Sequence, residues 1–139
     1  MTASHARGLG DTNILIFLER LPASSLPAEL LTSTVSLAEL SAGVHSAQDA
    51  AECARRVLRL QRVEATFSPL PFDAEAARQY GLIAAEVIAM GRKPRGRMAD
   101  LMIAGIAAAY QLPLFTTNPA DFRGLESVVT VVPVPVPNG

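Results

Sequence analysis

Apolar positions along the chain switch repeatedly between short runs and a spacing of three or four, which predicts strands alternating with helices. A very short extended piece around Leu9 breaks at Asp11-Thr12-Asn13. The run Ile14-Leu15-Ile16-Phe17-Leu18 follows, with Asn13 placed to cap a helix. Pro22 and Pro27 mark a loop. Residues 31–35 read as a strand, and Ser36 opens a helix with Leu37 and Leu40 on one face and Gly43 near its end. A further helix is expected over 47–60, where Cys53, Val57 and Leu60 repeat. Residues 61–69 are β-compatible through Val63, Thr66 and Phe67. Asp73 caps the next helix, in which Ala76, Tyr80, Ile83, Val87 and Ile88 repeat at three or four residues up to Met90-Gly91. A mostly apolar helix spans 99–110, a strand 113–117, a turn 118–121 and a last strand 128–132. The tail Pro133-Val134-Pro135-Val136-Pro137 cannot continue central sheet pairing and should leave it as an edge or extended tail.

Strands alternating with helices imply an α/β fold: a three-layer α/β/α sandwich around a short, mainly parallel central sheet. The crossovers are right-handed, so the C-terminal strand ends share one edge, where sites collect. A length of 139 residues suits one domain, read as residues 1–133, with 134–139 as a Pro-rich tail. Half the residues are apolar and the net charge is −1, so attraction to a polyanion has to come from local patches. The single cysteine, Cys53, excludes an intrachain disulfide and points to a reducing, cytoplasmic location. No stretch approaches the roughly 18 uninterrupted apolar residues of a membrane span, and the first residues lack a signal-peptide run. Neither Gly-x-Gly-x-x-Gly nor a Walker sequence occurs, which disfavours nucleotide-cofactor versions of the fold.

Four acidic residues fall where strands give way to turns or helix starts: Asp11, Glu39, Asp100 and Asp121, with Asn118 an amide oxygen donor in the last turn. Asp100 heads a helix so apolar that most of it must be buried. Converging carboxylates repel one another unless a cation sits among them, and an all-oxygen set suits Mg²⁺ or Mn²⁺ better than zinc. Such an ion can activate water toward phosphorus and neutralise the growing phosphoryl charge. Each residue also has a plainer reading. Ser36-Leu37-Ala38-Glu39 is a capping box, at roughly even odds with metal binding for Glu39. Asp11 and Asp121 suit Asx turns, and Asp100 suits a first helical turn.

The loop 91–97 concentrates Arg92, Lys93, Arg95 and Arg97 shortly before Asp100, well placed to hold a nucleic-acid backbone; the alternative is a solvated loop. Arg97 is the favoured functional cation, with Arg95 second. Thr116, at a strand end, and Asn13 are further candidates for substrate contact. His5 and His45 have no His-Glu-x-x-His context and carry no zinc site.

The ordered set Gly10-Asp11-Thr12-Asn13-Ile14, Val35-Ser36-Leu37-Ala38-Glu39-Leu40, Arg97-Met98-Ala99-Asp100-Leu101 and Phe115-Thr116-Thr117-Asn118-Pro119-Ala120-Asp121 resembles the PIN-domain ribonucleases of the VapC toxin type. The resemblance spans nearly the whole chain. It implies a PIN-like sandwich and a Mg²⁺- or Mn²⁺-dependent endoribonuclease that cleaves tRNA or rRNA to 5′-phosphate and 3′-hydroxyl ends and slows translation. It also implies a homodimer and a VapB-type antitoxin lying across the active-site groove. Asp11, Glu39 and Asp100 match the family's most dependable acidic positions and Asp121 a common fourth; some members carry an acid where Asn118 stands. The glycine-rich start Arg7-Gly8-Leu9-Gly10 departs from the usual apolar first strand. The residues alone leave open a non-cutting RNA- or protein-binding module, or a metal-dependent phosphatase or DNA nuclease.

Overall fold

Leu9 sits at the middle of the molecule, wholly buried, in the strand from which the sheet grows to both sides. The computed structural model describes residues 5–137. Strand β1 (Arg7–Gly10) runs into helix α1 (Thr12–Phe17), and β2 (Glu29–Leu31) into α2 (Thr34–His45). Helices α3 (Ala50–Thr66), α4 (Ala74–Ala89) and α5 (Met98–Ala109) precede β3 (Leu114–Thr116) and β4 (Val131–Pro133). The strand order is β2-β1-β3-β4, all parallel, with Leu9 opposite Leu31 on one side and Leu114 on the other. The expected α/β sandwich is therefore present.

Alternation along the short strands sorts side chains between two layers. Leu9 and Leu114 face a core made with Ile83, Val87, Leu101, Ile103 and Ile106, mainly from α4 and α5. Phe115 faces the other way and packs with Ile14, Leu21 and Val134. The glycines of β1 answer to close packing. A Cβ on Gly8 would stand 2.3 Å from the Phe115 ring, and one on Gly10 would press on Ile14 and Leu30 at 3.0 and 3.1 Å. The unusual first strand thus makes room for apolar side chains, and Gly10 still pairs with Phe115.

Several local expectations are corrected. The strand read over 31–35 lies earlier, at Glu29–Leu31, and the following helix begins at Thr34 with Ser33 as its cap, its hydroxyl accepting from the Ser36 amide at 3.0 Å. Residues Thr32 and Ser33 are instead tied to Leu70, whose amide donates to Thr32 O. The helix read over 47–60 starts at Ala50 and runs on to Thr66. The β-compatible Val63 is buried on its inner face against Leu15 and Leu40, so tertiary packing overrides strand propensity there. Asp11, not Asn13, caps α1. Strand β4 starts at Val131 because Val128 and Val129 close a turn on Leu125, and it runs one residue further than expected, to Pro133 opposite Thr116 on the sheet's edge strand. Val134, just past β4, is still buried and donates to Thr116 O at 2.8 Å. Residues 1–4 of the N-terminal stretch and 138–139 of the tail lie outside the described residues. Among those described, no helix is long and apolar enough to cross a membrane.

Candidate active site

The four carboxylates come from four segments that meet beyond the C-terminal ends of β1 and β3. Asp11, Glu39 and Asp121 follow β1, β2 and β3, which all end at this edge, and Asp100 heads α5, the helix that carries the chain back to the start of β3. They line one open cleft of about 460 Å³ together with Thr12, Asn13, Ile16, Leu40 and Gly43.

Asp11 is the most constrained. Only 5% exposed, it caps α1 by accepting from the Ile14 amide at 3.2 Å and takes a second hydrogen bond from the Thr116 hydroxyl at 2.5 Å. Burial pushes its carboxyl above the usual range, while Thr116 and the Ile14 amide pull the other way. Thr116 itself is fully buried, and its oxygen also accepts from the Asn118 amide at 2.9 Å. The structure therefore places Thr116 behind Asp11, with its one donor already given to that carboxylate.

Asp100 lies in the first turn of α5, as expected, where helix amides favour negative charge. Its pKa is nevertheless pushed up to about 6. Desolvation contributes most, then repulsion from Asp121, Glu39 and Asp11, with Arg97 opposing. The electrostatics thus report that the four carboxylates feel one another.

Glu39 is exposed on α2, well past that helix's first turn. The capping box is overturned because Ser33, three residues before Ser36, does the capping, so the Glu39 carboxylate is released for other work. Its Oε1 instead accepts from the Thr12 hydroxyl, which lies 3.0 Å from Ser36 Oγ. Asp121, in the turn Pro119–Phe122, is held by Asn118, whose side-chain amide donates to Oδ2 at 2.9 Å. Arg97 donates to the Asp121 carbonyl, and its guanidinium stands 3.7 Å from Oδ1. Arg97 is thus close to the acidic cluster and committed to Asp121. Arg95 is exposed on the loop and Asn13 is exposed at the cleft wall.

Two cations of the cleft wall escaped the sequence reading: Arg56 and Arg59 of α3. The signal was present in Arg55-Arg56, Arg59 and Arg62, spaced by three and four, which puts several of them along adjoining helix faces. The denser loop 91–97 drew attention away from it.

The donor set is all oxygen and carries mutual repulsion, which fits a hard divalent cation. As they stand, no three or more His, Cys, Asp or Glu side chains among the described residues are arranged to hold one. Binding would need the exposed Glu39 and half-buried Asp121 to turn inward toward Asp11 and Asp100.

A parallel α/β sandwich with carboxylates gathered at one sheet edge defines the class, and comparison with known proteins names it. The profile of the PIN domain family matches residues 9–126, so the chain belongs to the PIN-domain family. Its relatives include a protein named ribonuclease VapC5 of Mycobacterium tuberculosis, 34% identical over 134 residues, covering 94% of this chain and 96% of the relative. A ribonuclease VapC of Rickettsia bellii is 31% identical over 89% of this chain and 95% of its own length. The crystal structure of VapBC-5, a member of the VapBC family of toxin–antitoxin systems from M. tuberculosis, superposes with a TM-score of 0.80 at 34% identity, covering 94% and 99% of the two chains.

Proposed function

We propose that this chain is the toxin of a VapBC-type pair, a Mg²⁺- or Mn²⁺-dependent endoribonuclease that cuts tRNA or rRNA and so inhibits translation. The observation that carries the reading is the meeting of Asp11, Glu39, Asp100 and Asp121 in one cleft, with the Asp100 carboxyl raised by burial and then by the other three. The likeness to VapC ribonucleases over nearly the whole chain supports it.

Asp11 and Asp100 would hold the cation directly, Glu39 directly or through a water, and Asp121 would complete the shell or orient the attacking water. When bound, the cation supplies charge neutralisation at the phosphoryl oxygens and a more acidic water. The protein's own part is positional. Thr116 and the Ile14 amide fix Asp11, Thr12 restrains Glu39, and Asn118 with Arg97 aims Asp121. Water oxygen bonds to phosphorus as the bond to the 3′-oxygen breaks. One proton passes from the water toward a carboxylate and another reaches the departing oxygen, leaving 5′-phosphate and 3′-hydroxyl ends. The toxin acts as a homodimer, and a VapB-type antitoxin covers the cleft. The solved relative of 34% identity is described as a VapBC toxin–antitoxin member, which supports that partner.

The test is cleavage of total tRNA and rRNA by the purified, partner-free protein with Mg²⁺ or Mn²⁺, beside EDTA and Asp100→Asn controls. Discrete cuts abolished by both controls are expected. A folded, metal-supplied protein that cuts no RNA would defeat the reading.

A further inference from the structure

Helix α3 carries four arginines, and three of them are occupied. Arg55 donates to Glu52 Oε2 through both Nε and Nη2. Arg56 donates to Glu52 Oε1 at 2.9 Å, to the Gly43 carbonyl at 2.7 Å and to Ser46 Oγ at 3.2 Å, which fastens α3 to the end of α2. Arg62 is paired with Glu19. Arg59 alone of the four makes no hydrogen bond, ion pair or cation–π contact among the described residues. It is half-buried in the wall of the acidic cleft, and it also lines the neighbouring groove between α1 and α3, alongside Ile16.

Charge around this wall follows from the same contacts. Glu52, the acidic residue of α3 that lines the cleft, has both carboxylate oxygens engaged by Arg55 and Arg56, which hold its carboxyl below the usual range. Arg97 is turned to Asp121. Arg59 is therefore a cation of the cleft wall with unspent donors, facing a site whose carboxylates would repel a polyanion. A guanidinium in that position matches a phosphate oxygen pair in geometry as well as charge.

We propose that Arg59 grips a phosphate of the RNA backbone next to the scissile one, and that the strand leaves the acidic cleft along the α1–α3 groove that Arg59 and Ile16 share. This inference rests on the nuclease reading above. Arg59 is a substrate-binding residue here, with no part in the bond-breaking step.

The test uses full-length protein and the RNA fragment it cuts. Binding is measured on an Asp100→Asn background across a salt series, and kinetics on the otherwise wild-type chain. Arg59→Gln should weaken RNA binding roughly tenfold, as expected for one lost charge-assisted contact, and flatten the log–log salt slope by about 0.7 to 1. It should raise KM with kcat nearly retained. Arg78→Gln, whose partner is Glu75 on α4 and which lines neither the cleft nor the groove, should change binding by less than about twofold. Wild-type binding and slope in Arg59→Gln, with wild-type protein active, would overturn the Arg59 assignment alone. So would an effect confined to antitoxin capture, or an equal loss in Arg78→Gln. Absence of RNA binding and cleavage by the wild-type chain would remove this inference together with the nuclease reading.

Discussion

The cleft has two sides built on opposite plans. On the inner side, Asp11 is buried, its two oxygens are each hydrogen-bonded, and Thr116 behind it is fully enclosed. On the outer side, Glu39 is exposed and its carboxylate rests on one threonine hydroxyl, while Asp121 hangs from a turn through Asn118 and Arg97. Asp100 stands between them, its carboxyl raised first by burial and then by repulsion from Asp121, Glu39 and Asp11. The contrast teaches a division of labour. The inner side fixes where a cation would sit, at the cost of desolvating charge, and the outer side retains the freedom to close around it.

The largest expected effect falls on the residue that joins the two sides. Asp100→Asn keeps the volume and removes the charge, so cleavage should drop by about a thousandfold or more, an effect of about 4 kcal/mol. The fold should survive. Because the lost carboxylate was repelled by three others, the metal-free variant should melt no lower than wild type at neutral pH. Rates followed on a labelled RNA beside thermal melts decide the matter. Retained cleavage would sink the carboxylate assignment, and a collapsed melt would make Asp100 structural.

Thr116→Val breaks the inner side without touching any carboxylate. It leaves Oδ2 of the buried Asp11 and the Asn118 amide without the partner that Thr116 gives them, and should cost about 1–3 kcal/mol of stability in denaturant titrations. The matching change outside, Thr12→Val, removes a restraint on an exposed Glu39 and should cost less than about 1 kcal/mol. Equal losses at the two positions would erase the distinction between the sides.

Much of this arrangement was legible along the chain, and the gaps have physical reasons. Asp73 and Asp100 were placed correctly because each stands directly before a strong helical period. The cap of α2 was misplaced because Ser33, Thr34 and Ser36 are all competent hydroxyl residues and β-branched Thr34 and Val35 favour extension. The choice of Ser33 is made by Leu70, far along the chain, which pins Thr32 and Ser33 in an extended bridge. That distant contact decides whether Glu39 caps a helix or faces the cleft. Arg59 was hidden in another way. Its value lies in having no partner: Glu52 pairs with Arg55 and Arg56 locally along α3, but the contacts of Arg56 with Gly43 and of Arg62 with Glu19 need other segments to be brought alongside.

The pH dependence of cation binding sharpens the coupling across the cleft. An acid whose folded pKa is raised holds its proton more tightly when folded, so the metal-free fold loses stability as pH climbs from about 3.8 to about 6 and is level above that, as far as Asp100 is concerned. A cation has to displace that proton. Its affinity should therefore rise with pH and be about tenfold weaker at pH 5 than at pH 7, with Asp11, shifted the same way, steepening the fall. Calorimetric titration with Mn²⁺ across this range checks it. A flat profile would mean that Asp100 is not a ligand.

Arg97 should give the smallest effect, and the most diagnostic one for the outer side. Its charge lowers the Asp100 pKa against three carboxylates that raise it, and the same guanidinium stands beside Asp121. In Arg97→Gln the lowering influence is gone, so Asp100 ionises at higher pH. The acid limb of the cleavage profile should move up by a fraction of a pH unit, with kcat/KM near neutrality falling only a fewfold because the group is part-exposed and screened. Loss of Asp121 anchoring should add a modest fall in kcat that pH does not restore. If Arg97 instead served chiefly to grip RNA, the variant would show a raised KM, a weaker salt dependence and an unmoved acid limb. The direction of the pH shift separates the two roles, since only a cation coupled to Asp100 can displace the midpoint.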